Sequence, residues 1–297
     1  GINSVIPVRG FNYYIDESIQ YKKNNPQQPI LATEASSSLA TRGVYFLTKG
    51  DGYRPDYDQE NEPWWKIAAE NNWFMGGFSW TGFDYRGENQ YPAVICNFGI
   101  MDLCGFPKNA YYYYKSWWTD KDVLHIFPHW NWNGKEGQNI PVWCYSNADN
   151  VELFLNGKSL GKKEMPCNGH IEWMVKYTPG TLKAVAYKRG KRLVEEISTT
   201  GNPYKIVAQI NNPSLLANGK DNAIINFSVV DKKGREVPDA MNKLDFVVAG
   251  DAKILGVGNG DPSSREKEFI DGKTCSRNLF NGKCQVILQS GKTKGKI

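Results

Sequence analysis

Between Pro29 and Ser38 the chain reads P-I-L-A-T-E-A-S-S-S, a short apolar run that ends in one carboxylate, Glu34, followed by small residues only. Pro29 fixes the entry to the run, and the run has the length of a buried strand. A carboxylate at the C-terminal end of a parallel strand is where an α/β barrel keeps its catalytic groups. Such a group serves as nucleophile toward a sugar when a second carboxyl about 5 Å away acts as acid and base. Only Glu34 has that setting here. The same side chain also fits a turn cap or a pair with Arg42. Trp80 and Asp84 close a third apolar run and would face the same side, although Asp84 fits a pair with Arg86 equally well.

Other constellations carry less chemistry. G-F-S-W-T-G, Gly77 to Gly82, is one residue too long for the Gly-x-Ser-x-Gly elbow, and no histidine lies in that part of the chain to serve it. His125 and His129 are four apart, but Pro128 stands between them and no third zinc ligand is near. G-V-G-N-G-D-P, Gly256 to Pro262, lacks the strand-turn-helix setting of a nucleotide loop and reads as a Gly-rich turn. The six cysteines, Cys96, Cys104, Cys144, Cys167, Cys275 and Cys284, form no C-x-x-C pair. Cys275 and Cys284 flank an expected hairpin and could pair in an oxidising space, buried free thiols being the alternative. No metal or cofactor is implied.

The elements that must position Glu34 follow a βαβαβα order. A strand within S-V-I-P-V-R-G-F-N-Y-Y ends at Asn12, Tyr13 and Tyr14, and Asp16 caps a helix from Glu17 to Lys23. The Glu34 strand comes next. After a Gly- and Tyr-rich loop, Thr41 to Glu60, Asn61 caps a helix whose first turn holds Pro63. A third strand is expected from Trp73 to Tyr85 and a last helix from about Asn109 to Trp118. This pattern implies parallel strands with right-handed crossovers. From about Asp122 the period becomes two, with I-P-V-W-C-Y, V-E-L-F-L, H-I-E-W-M-V-K-Y and L-K-A-V-A-Y as short strands and Asn156-Gly157 as a type I′ hairpin turn. A second alternating series begins near Asn202-Pro203, with D-K-K-G and D-G-K turns, and has the spacing of an immunoglobulin-like sandwich that lacks a strand at its end. The expected division is residues 1–120, 121–202 and 203–297.

Composition is that of an ordinary globular chain, 40% hydrophobic and 23% charged over 297 residues. Aromatic content is high, 13% with ten Trp, and crowds into the first half, which suits either sugar stacking or a Trp-rich core. The net charge of +5 is dispersed; Lys158 to Lys163 and Lys188 to Arg192 read as solvated hairpin tips, so nucleic-acid binding is not expected. No apolar run reaches the ~20 residues of a membrane span.

The motifs together resemble the C-terminal part of glycoside hydrolase family 2, the group of β-galactosidases, β-glucuronidases and β-mannosidases. The resemblance rests on G-F-N-Y-Y, A-T-E-A-S-S and G-G-F-S-W-T-G-F-D-Y-R-G-E, and on F-G-I-M-D-L-C-G-F-P-K-N-A-Y-Y-Y-Y-K, a segment like that of galactosidase-type members from gut Bacteroidetes. It implies the last three strands of a (β/α)8 TIM barrel followed by two immunoglobulin-like β-sandwiches. It implies Glu34 as nucleophile, Tyr13 or Tyr14 as the tyrosine that hydrogen-bonds it, Trp80 as a wall of the sugar subsite, and Asn12 and Asp84 as further pocket residues.

The family's acid/base glutamate, in an Asn-Glu pair on the fourth barrel strand, has no counterpart here. The expectation is a chain that needs the preceding barrel strands and is inactive alone on natural glycosides, since general acid help is worth about 10²–10⁴-fold. The family's glucuronide motif, Asn-x-Lys, is absent between Gly87 and Lys108, so a neutral β-galactoside is expected, with glucuronide and mannoside open. A non-catalytic carbohydrate-binding module, with Trp130, Trp132 and Trp143 as a sugar platform, is the rival class. Family habit implies export to the periplasm or cell surface.

Overall fold

The computed structural model describes residues 5–46, 53–57, 60–88 and 94–297. The start of the first expected strand at Ser4 and parts of the Thr41–Glu60 loop lie outside them. A three-stranded parallel sheet comes first: β1 (Arg9–Asn12), β2 (Ile30–Glu34) and β3 (Phe74–Gly77), in that spatial order. Helices α1 (Ile15–Asn24) and α2 (Asn61–Glu70) make the crossovers. The paired strands β4 (Tyr85–Arg86) and β5 (Ile95–Cys96) and the helix α3 (Asn109–Trp118) complete this part.

The parallel order is as the sequence implies, but β3 is shorter than expected. It ends at Gly77, after Gly76 turns the backbone to a positive φ of 109°. Strand-like bonding nevertheless continues beyond it, with Ala35 N–H donating to Phe78 O (2.8 Å) and Trp80 N–H to Ser36 O (2.8 Å). Gly77 is required where it is: a Cβ there would lie 2.7 Å from that of Ala32 on the neighbouring strand. The expected side-chain caps are also absent. Tyr14 and Glu60 hold the N-cap positions and neither donates or accepts a capping bond; Asp16 and Glu62 lie inside the first turns, where their charge favours the helix dipole.

The first sandwich stacks β6 (Leu124–Phe127), β7 (Asn139–Ser146) and β10 (Ile171–Lys176) on β8 (Asn150–Leu155), β9 (Lys158–Glu164), β11 (Thr181–Lys188) and β12 (Lys191–Ser198). Alternation explains it: along β10 every second residue is buried and the rest exposed. Asn156 and Gly157 both have positive φ, as the hairpin turn requires. Lys158 to Lys163 belong to the edge strand β9 and not to a tip. Lysines on an edge discourage pairing with another chain. Trp130 is fully buried, and Trp132 and Trp143 nearly so. Trp130 and Trp132 belong to the sandwich core and Trp143 to the cluster shared with the α/β unit, so the three do not form one exposed stacking surface.

The second sandwich pairs a five-stranded sheet, in the order β13 (Lys205–Ile210), β14 (Asn222–Val230), β19 (Lys283–Ser290), β16 (Ala252–Gly258), β17 (Phe269–Gly272), with a ribbon of β15 (Lys243–Val247) and β18 (Thr274–Asn278). The Gly256–Pro262 segment, read as a turn, begins inside β16, which runs to Gly258. A register shift between Ile254 and Gly256 lets the glycines stay in the ladder. All six cysteines are free. No helix among the described residues is long and apolar enough to cross a membrane.

Candidate functional site

Glu34 is the last residue of the middle parallel strand and is half-buried. Asn12, the last residue of β1, stands directly opposite it and is exposed. Next to Asn12 the backbone of Tyr13 takes a positive φ of 67° and its N–H donates to Glu34 O (2.6 Å). That turn swings the Tyr13 phenol toward the end of β2, where its hydroxyl lies 2.9 Å from Ser37 Oγ. Burial raises the Tyr13 pKa, and the nearby Glu34 carboxylate raises it further. Tyr13 is therefore the tyrosine beside the carboxylate. Tyr14 is largely exposed and lines the neighbouring hollow.

Trp80 follows the end of β3 and is 36% exposed, with its indole N–H donating to Tyr85 Oη (3.0 Å). The Tyr85 hydroxyl in turn donates to Glu88 Oε2 (2.5 Å), and its ring meets Phe98 edge-on. The Trp80–Thr81 peptide is cis. Trp80 thus presents an indole face held by a second aromatic ring.

Asp84 is not placed as expected. It is 3% exposed, its Oδ1 accepts from Lys108 Nζ (2.5 Å) and from Gly99 N–H (2.9 Å), and burial pushes its carboxyl up to about 7 against the pull of that ammonium. Chain reversal after Trp80 turns Asp84 inward, so it braces the loop and offers nothing to a sugar. Neither bland pairing read from the sequence forms: Arg86 pairs with Glu268 and Arg42 with Asp102.

A polar network beneath the site escaped the sequence. Asn61 Oδ1 contacts Ser36 Oγ and accepts from Tyr114 Oη (2.6 Å), while Asn61 Nδ2 donates to Ser38 Oγ (3.0 Å). Trp64 Nε1 donates to Tyr114 Oη (3.0 Å), and Tyr114 Oη reaches Ser79 Oγ (3.3 Å). The serines after Glu34 are thereby tied to α2, α3 and the end of β3. The sequence signal was present, three consecutive buried serines behind one acid, but their partners lie 23 to 78 residues away.

Arg42 anchors the same loop at its far end. Its guanidinium pairs with Asp102 (2.6 Å) and donates to Asn259 O, Phe280 O and Asn281 O of the second sandwich. His125 and His129 do other work: His125 stacks on Tyr112 at 3.7 Å and bonds Asn109 Oδ1 (2.9 Å), and His129 stacks on Trp132 at 4.3 Å. No group of three or more metal-ligating side chains occurs among the described residues.

A parallel α/β unit carries an acid, a tyrosine and a tryptophan at its strand ends and two sandwiches follow it, the arrangement that the glycoside hydrolase resemblance implies. Comparisons with known proteins agree. Residues 206–297 match glycoside hydrolase family 2 C-terminal domain 5, and residues 137–194 match a domain of unknown function, DUF4982. A β-galactosidase of Bacteroides ovatus is 42% identical over 99% of this chain, which spans 37% of that protein. A putative β-glucuronidase of Formosa agariphila is 38% identical over 76% of the chain, or 23% of its own length. The crystal structure of a β-glycosidase from Bacteroides vulgatus superposes with a TM-score of 0.90 at 33% identity, over 98% of this chain and 43% of that one. The chain belongs to glycoside hydrolase family 2. It spans less than half the length of these relatives.

Proposed function

We propose that this chain supplies the nucleophile side of a retaining glycosidase acting on terminal β-D-galactosides, built on the last three strands of a (β/α)8 barrel. The supporting observation is the position of Glu34 at the C-terminal end of the middle parallel strand, with Asn12 opposite and the Tyr13 phenol beside it. In this reading a Glu34 oxygen attacks the anomeric carbon and the leaving oxygen departs with a proton from an acid/base carboxyl outside this chain. Water, deprotonated by the same group, then hydrolyses the glycosyl ester. Tyr13 donates a hydrogen bond to the carboxylate and strengthens as negative charge returns to it in the second step. Trp80 walls the sugar.

Galactose is favoured over a uronate by charge. The one lysine between Gly87 and Lys108, Lys108 itself, is fully buried and spent on Asp84, which leaves no cation of that loop for a sugar carboxylate. A glucuronide reading draws support from the similarity to the Formosa agariphila protein. Burial of Trp130 argues against a stand-alone binding module. Export to the periplasm or cell surface belongs to the same reading; cell fractionation tests it.

Intact-mass analysis after incubation with a dinitrophenyl 2-deoxy-2-fluoro-galactoside is the test, because that leaving group needs no proton. An adduct on Glu34, absent in Glu34→Gln, is expected. Labelling by the fluoro-glucuronide in preference would replace galactose with a uronate. No adduct with either reagent, in this chain and in the longer protein alike, would overturn the reading.

A further inference from the structure

Two hollows lie in series on the side of the site where the first sandwich approaches the barrel strands. The first, about 560 Å³, is bordered by Tyr13, Ser37 and Phe98; the second, about 600 Å³, by Arg54, Tyr57, Trp143 and Glu172. Leu39 and Glu60 border both, and both are exposed, so they form a low saddle and not a partition. Each volume is in the range of small-molecule sites. Glu34 and Trp80 are outside both linings. The groove therefore starts at the Tyr13–Ser37 contact and leads away from the carboxylate.

Its walls are rigid. Tyr57 Oη donates to Pro141 O (2.6 Å), buried Asp56 accepts from Gly43 N–H (3.1 Å) and Asn109 N–H (3.2 Å), and His170 stacks on Trp143 at 4.0 Å while bonding Glu62 Oε2 (2.6 Å). The polar ends are free to meet a ligand: Arg54 and Glu172 are exposed and have no ion-pair partner among the described residues. A guanidinium, carboxylates and aromatic edges along an open trough match the hydroxyl-rich, weakly apolar surface of a glycan. The two linings set four carboxylates, Asp16, Glu17, Glu60 and Glu172, against one arginine, so the trough disfavours an acidic one.

We propose that this groove is an aglycone site, shared between the loop after Glu34 and the first sandwich, that holds the following residues of a neutral oligosaccharide. The proposal rests on the glycosidase reading. The sandwich is then part of the binding surface, and the enzyme is an oligosaccharide-trimming one and not an aryl- or disaccharide-specific one.

Titration of this chain with β-1,4-galactotetraose, followed by amide shifts in NMR, tests it, with galactose and tetragalacturonate as controls. Saturable shifts confined to the two hollows are expected for the neutral tetrasaccharide. An affinity loss of about tenfold should follow Arg54→Ala plus Glu172→Ala, exposed positions whose unchanged melting temperature certifies the fold. Little response is expected to galactose or the uronate. Shifts that ignore the double substitution, stronger binding of the uronate, or none up to 10 mM (roughly the weakest binding of interest) would each overturn the aglycone site. If the fluoro-sugar still labels Glu34 in that case, the glycosidase reading stands and the groove proposal alone has failed.

Discussion

Arg42 Nε lies 2.6 Å from Asp102 Oδ2 with both side chains buried, and the same guanidinium donates to three carbonyls of the second sandwich. The loop that begins at Glu34 is thus held by a domain whose strands start more than 160 residues later. Opposite Asp102, Gly260 has a φ of +78°, and a Cβ there would fall 1.9 Å from Asp102 Oδ2.

Removing one partner of this pair should be costly. Arg42→Ala leaves the buried Asp102 carboxylate without a countercharge, held only by the N–H groups of Cys104 and Phe106, and a loss of about 3–5 kcal/mol is expected for a pair of this kind. Arg42→Met with Asp102→Leu should recover part of it. Gly260→Ala should destabilise as well, through the clash. Thermal melts of the three variants decide the matter; a melt of Arg42→Ala within a degree of the parent would show that the clamp contributes nothing.

Tyr13→Phe removes the hydroxyl between Ser37 and the Glu34 carboxylate. A hydrogen bond to a charged group is worth about 1.5–3 kcal/mol, so fluoro-sugar labelling of Glu34 should slow about ten- to a hundredfold with the melting temperature little changed. Tyr14→Phe should leave the rate alone. Equal rates for the two variants would assign the wrong tyrosine.

Asn61→Ala deletes the hub that joins Ser36, Ser38 and Tyr114. Buried polar groups stripped of a partner cost about 1–3 kcal/mol each. Stability should fall by at least that much, and amide exchange should quicken for Ala35 to Ser38 before it does in the sandwiches. Uniform quickening would mean the network is no more local than the rest of the core.

His129 is packed between Trp132 and Tyr45, and burial lowers its pKa to about 4, with Asp239 pulling the other way. Between the unfolded value near 6.5 and about 4 the unfolded chain holds a proton that the folded chain lacks. Stability from this group is therefore present above pH 6.5 and falls as the pH drops toward 4, by up to about 3 kcal/mol. Melting temperatures across pH 4 to 7.5 should decline on the acid side, and less so in His129→Gln. Parallel curves would remove His129 as the cause.

The order of elements was legible because it follows from local physics. Apolar runs of strand length separated by helical periods imply parallel strands with crossovers, and α3 falls at Asn109–Trp118, about where its period places it. Asn156-Gly157 announced its turn because few residue pairs accept two positive φ values. The cap read at Asn61 fails because an exposed cap and a buried hydrogen-bond hub look alike in one dimension, and the one at Asp16 because an acid in the first turn looks like an acid at the cap. The end of β16 reads as a turn for a similar reason: glycines signal turns locally, and only packing against Cys104 and Asp102 shows why Gly258 and Gly260 are needed.

For the site, sequence alone determined that one acid, Glu34, ends a buried strand with Asn12 and two tyrosines near a neighbouring strand end, since strand length and residue type are local properties. Tertiary structure alone decided which tyrosine turns to it, that Asp84 belongs to Lys108 and Arg42 to Asp102, and that the first sandwich walls a groove beside it. Each of those depends on where distant segments meet, and the partner of a buried charge is chosen by desolvation, which no spacing along the chain records.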